Sequence, residues 1–400
     1  MARGCGKKPS ARALESGQDD NAASHRATRG AAGGVANTRN TQNKITPART
    51  MRPEQWDIFK KAALPGKPGP IPLALIIDSP WIPGYLGIGH MDFYLDPETW
   101  FQAHHKIHQE FPDIIFIPSW WMEYGMAAEP SALGVKIKFW PDNTPGEIPV
   151  LFRIEDIEKL PPVDVEHDGL MALSLHRMRM HRQRILDHGH TLPLVAARGP
   201  MCSAAFARGT TEFMMDLVDK PEWARRLLEI TTSMTIDWIK AQARACGPTV
   251  EGFLLLDDIV GFVGGETYKE FCHPCLKRIC GAFPKDWIKI YHNDASIEAC
   301  MEHLPDAGFH VLNWGKQIDI AEVKTRVGNR ICLMGNVNPL EIGVRGTPAQ
   351  VRDATLDVLE KSGGERFVLS VGGGVSPGTP RANILAMQQA LAEYNDRRHL

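Results

Sequence analysis

From about residue 52 onward, short apolar runs alternate with amphipathic stretches rich in Leu and Ala. This alternation is typical of βα units, in which a buried strand is followed by a helix that packs on the sheet. Eight parallel strands with helices between them close into a barrel. The sequence therefore predicts an α/β fold, a single (β/α)8 TIM barrel over residues 51–400. Its predicted strands are Ile71–Ile77, Ile114–Ile117, Leu192–Ala196, Gly252–Leu256, Ile288–Tyr291, Val311–Asn313, Ile331–Met334 and Phe367–Ser370.

The interval between the second and third runs is much longer than the others. Within it, Val135–Phe139 and Val150–Phe152 flank Asp142-Asn143 and predict a hairpin inserted after the second strand. Such a hairpin over the barrel mouth would serve as a lid or a substrate wall. Helices are predicted to begin at Pro221, and at Pro348 with Thr347 as the capping residue.

Residues 1–50 contain almost no large apolar side chains, so they cannot offset the entropy cost of ordering. They are predicted to be a disordered tail. The alternatives are an organelle transit peptide, suggested by the arginines, and a misassigned start before Met51.

The composition excludes several classes of function. A net charge of -2 gives no basic face for nucleic acid or a membrane surface, and no apolar stretch approaches the roughly 20 residues of a membrane span. The 8 cysteines are scattered, which favours a reducing compartment over a disulfide scaffold. A cytoplasmic protein with a small-molecule or protein partner is expected, without nucleic acid or membrane.

Polar residues or glycines follow every predicted strand. The interior layers of a barrel are apolar and active sites lie at the carboxyl ends of its strands, so these residues predict an enzyme site at the barrel mouth. They are Asp78, Ser119, Trp120, Arg198, Asp257, Asp258, His292, Asp294, Asn313, Asn336 and the Gly372–Gly374 turn, in which Gly373 would let a substrate approach closely.

His292 and Asp294 are the strongest pair in this set. In an extended segment, residues i and i+2 point to the same side, so the two could chelate a cation or form a proton-transfer pair. An isolated histidine is otherwise more often a hydrogen-bonded core residue. In the Asp257-Asp258 pair, burial and like charge would raise one pKa and suit acid/base work, unless one carboxylate caps the following turn.

A series of motifs, taken in order, resembles the uroporphyrinogen decarboxylase superfamily, which holds decarboxylases of haem synthesis and methyltransferases that work with corrinoid proteins. The resemblance implies the (β/α)8 barrel and runs from about residue 70 to 395. The motifs are Arg198-Gly199-Pro200 with Gly209, Asp216 through Glu222, Leu256-Asp257-Asp258, His292-Asn293-Asp294, Val327-Gly328, Met334 through Pro339, Gly346-Thr347-Pro348 and Gly378-Thr379-Pro380 with Asn383.

The chain departs from the decarboxylase pattern. That family places an Arg-Gln-Ala-Gly-Arg segment before the first strand, an Asp in Phe-Ser-Asp-Ile-Leu, a Tyr soon after the Gly-Pro and a His in a late Gly-His-Gly. Here the arginine segment is missing, the second run continues through Ser119, Trp120 and Glu123, Phe206 takes the place of the Tyr and Gly373 that of the His. The chain also lacks the zinc ligands of the methyltransferase branch, since Asp294 replaces the paired Cys and Gly373 the distant one.

The resemblance implies a methyltransferase that moves a methyl group between a small substrate and a corrinoid or folate-type carrier. His292 and Asp294 would orient or deprotonate the substrate or hold a metal such as zinc, Asp257 and Glu123 would act as acids or bases, and Trp81, Trp120 and Trp121 would line an apolar mouth. Arg198, Asn336, Ser119, Trp120, Gly373 and Asp78 would bind substrate. The partners expected are a methyl donor or acceptor, a corrinoid protein that carries the cobalamin and, in a homodimer, a second copy of the chain. The alternatives are a divergent uroporphyrinogen decarboxylase and a non-catalytic barrel that binds a ligand.

Overall fold

The computed structural model describes residues 51–67, 69–315 and 317–398. The predicted tail, residues 1–50, lies outside the described residues. Ten strands are formed, namely β1 Ala74–Ile76, β2 Ile115–Ile117, β3 Lys136–Lys138, β4 Gly146–Ile148, β5 Leu194–Arg198, β6 Gly252–Leu256, β7 Ile288–Asn293, β8 Val311–Trp314, β9 Cys332–Val337 and β10 Phe367–Val371.

The α-helices alternate with these strands. They are α1 Pro53–Ala63, α2 Ile82–Leu86, α3 His90–Leu95, α4 Pro97–Glu110, α5 Ala128–Ala132, α6 Gly169–Asp187, α7 Pro200–Arg208, α8 Thr210–Asp219, α9 Pro221–Cys246, α10 Gly265–Thr267, α11 His273–Gly281, α12 Leu304–Ala307, α13 Ile320–Val327, α14 Pro348–Ser362 and α15 Arg381–Arg398. Short 3-10 helices occupy Ile154–Lys159 and Asp258–Phe262, and π-helical turns occupy Tyr268–Cys272 and Pro339–Val344.

Eight of the strands are parallel and form the wall of a TIM barrel. Strands β5 to β10 pair in chain order, and β1 pairs with β2. Parallel bridges from Leu73 to Leu369 and from Ile76 to Gly374 join β1 to β10. Between β2 and β5 no ladder is recorded among the described residues.

Alternate residues of each parallel strand point into the barrel, as the period of 2 requires. Their apolar members form one buried cluster, whereas the intervening residues pack against the surrounding helices. The inward set includes Ala74, Ile76, Ile115, Ile117, Leu194, Ala196, Leu254, Leu256, Ile288, Ile290, Val311, Cys332, Met334 and Val368. Because each strand keeps this alternation to its end, the next inward position lies at the barrel mouth.

Helix α1 closes the opposite end of the barrel. Its Trp56 and Phe59 are buried with the inward-facing side chains. The Trp56 Nε1 donates to Glu251 Oε2 at 2.8 Å, immediately before β6 begins. The open end of the barrel is therefore the one at the carboxyl ends of the strands, where the polar residues lie.

The predicted strands correspond to those of the structure, with differences of at most three residues at their ends. Helices α9 and α14 begin at Pro221 and Pro348, as predicted, and Thr347 Oγ1 accepts a hydrogen bond from the Gln350 backbone N–H. The prediction of the hairpin was wrong in its second strand, because Lys136–Lys138 pairs with Gly146–Ile148 rather than with residues 150–152. The backbone N–H groups of Val150 and Leu151 instead donate to the carbonyl of Ala207.

No helix among the described residues has both the length and the apolar character that a membrane span requires.

Candidate active site

The carboxyl ends of the barrel strands surround a cavity of about 310 Å³. The strands contribute both its apolar floor and most of its charged groups, and the hairpin β3–β4 contributes one wall. The lining residues are Ile76, Asp78, Pro80, Gly125, Met126, Thr144, Pro145, Glu147, Arg198, Leu256, Asp258, His292, Asp294 and Gly374.

The strand alternation explains which polar side chains reach this cavity. Along β7, the inward positions Ile288 and Ile290 continue to His292. Along β6, Leu254 and Leu256 continue to Asp258. The same rule selects Arg198 at the end of β5.

One ring nitrogen of His292 is fixed by an amide. The His292 Nδ1 lies 2.7 Å from Asn313 Oδ1, and Asn313 Nδ2 donates to the carbonyls of Met334 at 2.9 Å and Val371 at 3.3 Å. These two bonds assign the amide nitrogen, so Oδ1 is the acceptor and Nδ1 of His292 carries a hydrogen. The other nitrogen, Nε2, is the one available for chemistry.

Two carboxylates face the His292 Nε2. It lies 3.5 Å from Asp294 Oδ2 and 3.8 Å from Asp258 Oδ1. Burial alone would lower the pKa of His292, but the negative charges of Asp294 and Asp258 raise it to about 9. Although partial burial works against it, the His292 cation holds the pKa of Asp294 below its usual value. At neutral pH the pair is therefore an imidazolium beside a carboxylate.

The position of Asp294 depends on its neighbours in the mouth. Its backbone N–H donates to Asp258 Oδ1 at 2.7 Å, and its carbonyl accepts from Gln317 Nε2 at 2.6 Å. A Cβ at Gly373, whose φ is +91°, would lie 2.1 Å from Asp294 Oδ1. Glycine at 373 thus provides the space that the Asp294 carboxylate occupies, while Asp294 itself is 56% exposed at the opening of the cavity.

Asp78 and Arg198 line the other side of the cavity. Burial raises the pKa of Asp78 to about 7, and the nearby Glu123 carboxyl adds to the rise. The Arg198 Nη2 donates to the carbonyl of Gly125 at 3.2 Å, and its guanidinium lies 5.2 Å from the centre of the Trp121 ring. Both residues were predicted from their positions after strands.

Asp257, in contrast, is turned away from the cavity. Its carboxylate accepts hydrogen bonds from the backbone N–H groups of Met201 at 3.3 Å and Cys202 at 2.8 Å, at the start of α7. Burial raises the pKa of Asp257 to about 7, but this group is a helix cap. The acid/base role predicted for Asp257 is not compatible with this position, because strand alternation directs Asp258 into the cavity instead.

Other predicted site residues, Gly373 and Asn313 among them, also lie outside the lining. Glu123 Oε1 accepts from the Ser79 backbone N–H at 2.8 Å, and its Oε2 accepts from Gly125, so it supports the segments beside Asp78. Asn336 Nδ2 donates to the carbonyl of Ile318 at 3.3 Å. The Ser119 carbonyl lies 2.9 Å from His108 Nε2, and Trp120 stacks on Phe101 and His104 behind the barrel wall.

The three tryptophans, which could either line the mouth or serve as packing residues, are buried and do not line the cavity. The Trp81 Nε1 donates to the carbonyl of Thr379, and Trp121 is packed below the Arg198 guanidinium. The described residues that line the cavity include no Phe, Tyr or Trp. Indole rings are large and apolar, so all three are used to fill the protein interior.

The sequence predicted a hairpin as a wall of the site, but it did not identify the hairpin residues that reach the cavity. Thr144, Pro145 and Glu147 reach the cavity from a segment that is distant in sequence from every barrel strand. No local pattern marks them. Asp258 was in the predicted set, but the acid/base role was given to Asp257, although Leu254, Leu256 and Asp258 share one face of an extended segment.

The donor set does not fit the zinc site that the resemblance implies. His292, Asp294 and Asp258 do not form a group able to hold a metal ion, and neither does any other set of three or more His, Cys, Asp or Glu among residues 51–67, 69–315 and 317–398. The cavity lining described here contains no thiolate ligand. We therefore derive no step through a metal.

Comparisons with known proteins agree with this architecture. The family model described as "Uroporphyrinogen decarboxylase (URO-D)" matches residues 85–394. Among curated proteins, the chain is 23% identical to a uroporphyrinogen decarboxylase of Coxiella burnetii over 66% of this chain and 74% of that protein. It is 25% identical to the methylcobamide:CoM methyltransferase MtbA of Methanosarcina acetivorans over 61% of this chain and 70% of that protein.

A solved structure has the same fold. A methyltransferase from Methanosarcina mazei superposes with a TM-score of 0.73 at 18% sequence identity, covering 86% of this chain and 99% of the other. The relatives thus include both decarboxylases and a corrinoid-linked methyltransferase, and all of them are enzymes.

Proposed function

The chain belongs to the uroporphyrinogen decarboxylase family, and within that family we propose that it is a methyltransferase acting between a small substrate and a corrinoid. The observation that carries the proposal is the His292 imidazolium, held between Asn313 and two carboxylates in a small cavity at the barrel mouth. A reduced corrinoid on a partner protein would supply the electron pair that accepts the methyl group.

His292 is the proton donor in this proposal. When a methyl group leaves a neutral oxygen or nitrogen, that atom gains negative charge and is stabilised by a proton from a positioned acid. The Nε2 proton of His292 faces the cavity, and Asn313 holds the ring in place through Nδ1. Asp294 and Asp258 keep the ring protonated at neutral pH. In the reverse direction the same ring takes the proton back.

The size and charge of the cavity weigh against the decarboxylase alternative. Its volume of about 310 Å³ is at the lower end of the roughly 300–1,000 Å³ that small-molecule sites occupy, and a porphyrinogen has four pyrrole rings with several carboxylate side chains. Of the described lining residues, Arg198 is the one arginine. Each substrate carboxylate without a cationic partner would lose a charge-assisted hydrogen bond worth roughly 1.5–3 kcal/mol.

Cysteine usage supports a reducing compartment, and we place the reaction in the cytoplasm. All seven described cysteines are free, and six of them are buried. Burial raises the pKa of the Cys202 and Cys332 thiols, so these side chains are protonated and inert.

Two anaerobic assays test the proposal. In the first, the protein is mixed with reduced cobalamin and a panel of methyl ethers, methylamines and methyl thioethers, and the absorbance of cobalamin reports its methylation. Methylation that requires the protein and is lost in His292→Gln is expected. In the second, uroporphyrinogen is supplied and coproporphyrinogen is measured. Decarboxylation near 1 per second or faster, which is within the usual enzymatic range, together with no methyl transfer would overturn the proposal.

A further inference from the structure

The carboxyl of Asp78 and one carboxylate oxygen of Glu147 lack the partners that such groups normally have when they are removed from water. Glu147 Oε1 is buried and has no hydrogen-bond partner among the described residues. In the same described part of the chain, the carboxyl of Asp78 makes no side-chain hydrogen bond, and no Lys, Arg or His nitrogen lies within 4.0 Å of it. An unsatisfied buried acceptor costs roughly 1–3 kcal/mol, so this arrangement is unfavourable for the protein alone.

Burial raises the pKa of both carboxyls, and the Arg198 charge opposes this rise without forming an ion pair with either group. The Arg198 Nη2 donates to the carbonyl of Gly125, and the side chain forms no ion pair within 4.0 Å with any described carboxylate. The cavity has four carboxyl groups, on Asp78, Glu147, Asp258 and Asp294, but two cationic side chains, on Arg198 and His292. Since His292 is already engaged with Asp258 and Asp294, the unmatched negative charge lies at Glu147 and Asp78.

We infer that the substrate carries a positively charged nitrogen, a protonated or quaternary ammonium group, which Glu147 and Asp78 bind. The inference rests on the proposed function of this cavity and adds the class of substrate to it. A protonated ammonium group donates charge-assisted hydrogen bonds, which are about twice as strong as neutral ones, whereas a quaternary one is attracted by charge alone. The described lining has no Phe, Tyr or Trp ring for the cation, so the carboxylates recognise it. Both groups also have a raised pKa, caused mainly by burial, which a bound cation would lower.

The cationic nitrogen is an anchor and is distinct from the atom that His292 protonates. A quaternary nitrogen has no lone pair to accept a proton, and a protonated one has already used it. Glu147 comes from the hairpin and Asp78 from the segment after β1, whereas His292 lies at the end of β7. The hairpin thereby acts as the element that determines specificity.

A charge series on one molecular shape tests the inference. Choline is a cation, 3,3-dimethylbutan-1-ol is its neutral carbon isostere, and 3,3-dimethylbutanoate is an anion of nearly the same skeleton. Titration calorimetry at pH 8 and low salt should give an affinity for choline at least about tenfold above that for the alcohol, with the anion weakest. Equal affinities of choline and the alcohol, or no binding of choline, would overturn the inference.

Matched variants locate the binding. Glu147→Gln keeps the shape of the side chain, and Glu266→Gln makes the same change at an exposed surface position. Choline affinity should fall about tenfold or more in Glu147→Gln and Asp78→Asn and stay unchanged in Glu266→Gln. Without ligand, Glu147→Gln should melt at or above the temperature of the wild type, because it removes an unpaired buried carboxyl. Equal loss in Glu147→Gln and Glu266→Gln would contradict the assignment.

Failure of this inference is separable from failure of the proposed function. Protein-dependent methylation of cobalamin without choline binding would leave the methyltransferase proposal intact and reject the cationic substrate. Choline binding that depends on Glu147, without methylation from any donor of the panel, would support the cation site and reject the methyltransferase proposal.

Discussion

Two regions of this protein bury histidine, and they treat it in opposite ways. At the mouth, the ring of His292 is held by Asn313 and faces two carboxylates, and its pKa is raised to about 9. In helix α4, the ring of His104 packs against Trp100 and Trp120, with centroids 4.8 and 5.5 Å away, and neither ring nitrogen has a hydrogen-bond partner among the described residues. Burial, with Arg177 nearby, lowers the pKa of His104 to about 3.

The difference shows that burial by itself does not identify a functional histidine. Both side chains are nearly inaccessible, at 1% for His104 and 3% for His292. The neighbours determine the charge of the ring, since carboxylates stabilise the cation, whereas burial beside an arginine disfavours it. His292 is therefore suited to proton transfer, while His104 serves as an uncharged packing residue.

The largest effect on turnover is expected when each of the two histidines is substituted in a separate variant. His292→Gln should reduce turnover by about 10²–10⁴-fold, because the proton donor is lost. His104→Phe should leave turnover within about twofold, since His104 has no contact with the cavity. Methyl transfer to cobalamin measures both. Comparable losses in the two variants would show that the contrast between the regions is false.

The stability of the protein in acid should depend on His104. Between pH 6.5 and about 3, the unfolded chain binds a proton at this residue and the folded chain does not, so stability is lost as pH falls through that window. From pH 7 to 5 the loss is about 2 kcal/mol. His104→Phe should remove it, and urea unfolding at pH 7 and pH 5 measures the change. If the variant loses as much unfolding free energy between pH 7 and pH 5 as the wild type, the low pKa of His104 is contradicted.

The pH profile of turnover should report His292. The folded-state pKa is raised, so the imidazolium is present below about pH 9 and is lost as the pH rises through that value. We expect kcat to fall above about pH 9 in the wild type. Asp294→Asn removes one of the charges that stabilise the cation, so the fall should begin at lower pH, about one unit by a typical charge effect. If the pH profile of kcat is the same in this variant as in the wild type, the Asp294 charge does not raise the pKa of His292.

The smallest effect is expected from removing residues 1–50, which contain almost no large apolar side chains. Met51, in contrast, is buried and its carbonyl accepts from the Thr191 backbone N–H. A chain that starts at Met51 should keep the melting temperature of the full chain within about 1 °C. A decrease of several degrees would show that the predicted tail belongs to the fold. A control that starts at Trp56 should be less stable, because it removes Met51 from the core.

The fold could be predicted well from the sequence because its signals are local. A parallel strand buried on both faces is a continuous apolar run, and the residue that follows it stands at the mouth. Helix starts at Pro221 and Pro348 follow from proline's fixed φ and its missing N–H. His292 and Asp294 lie together because two residues in an extended chain point the same way.

The membership of the site was decided by tertiary structure. Asp257 caps α7 and Asp258 enters the cavity, a choice made by strand alternation and by the position of the helix that follows β5. Glu147 arrives from an inserted hairpin, and the tryptophans that the sequence suggested for the mouth are packed elsewhere. These outcomes depend on contacts between segments far apart in the chain, and local periodicity carries no information about such contacts. The sequence alone thus determined the barrel and its reactive pair, while the packing of distant segments determined the charge and shape of the cavity around them.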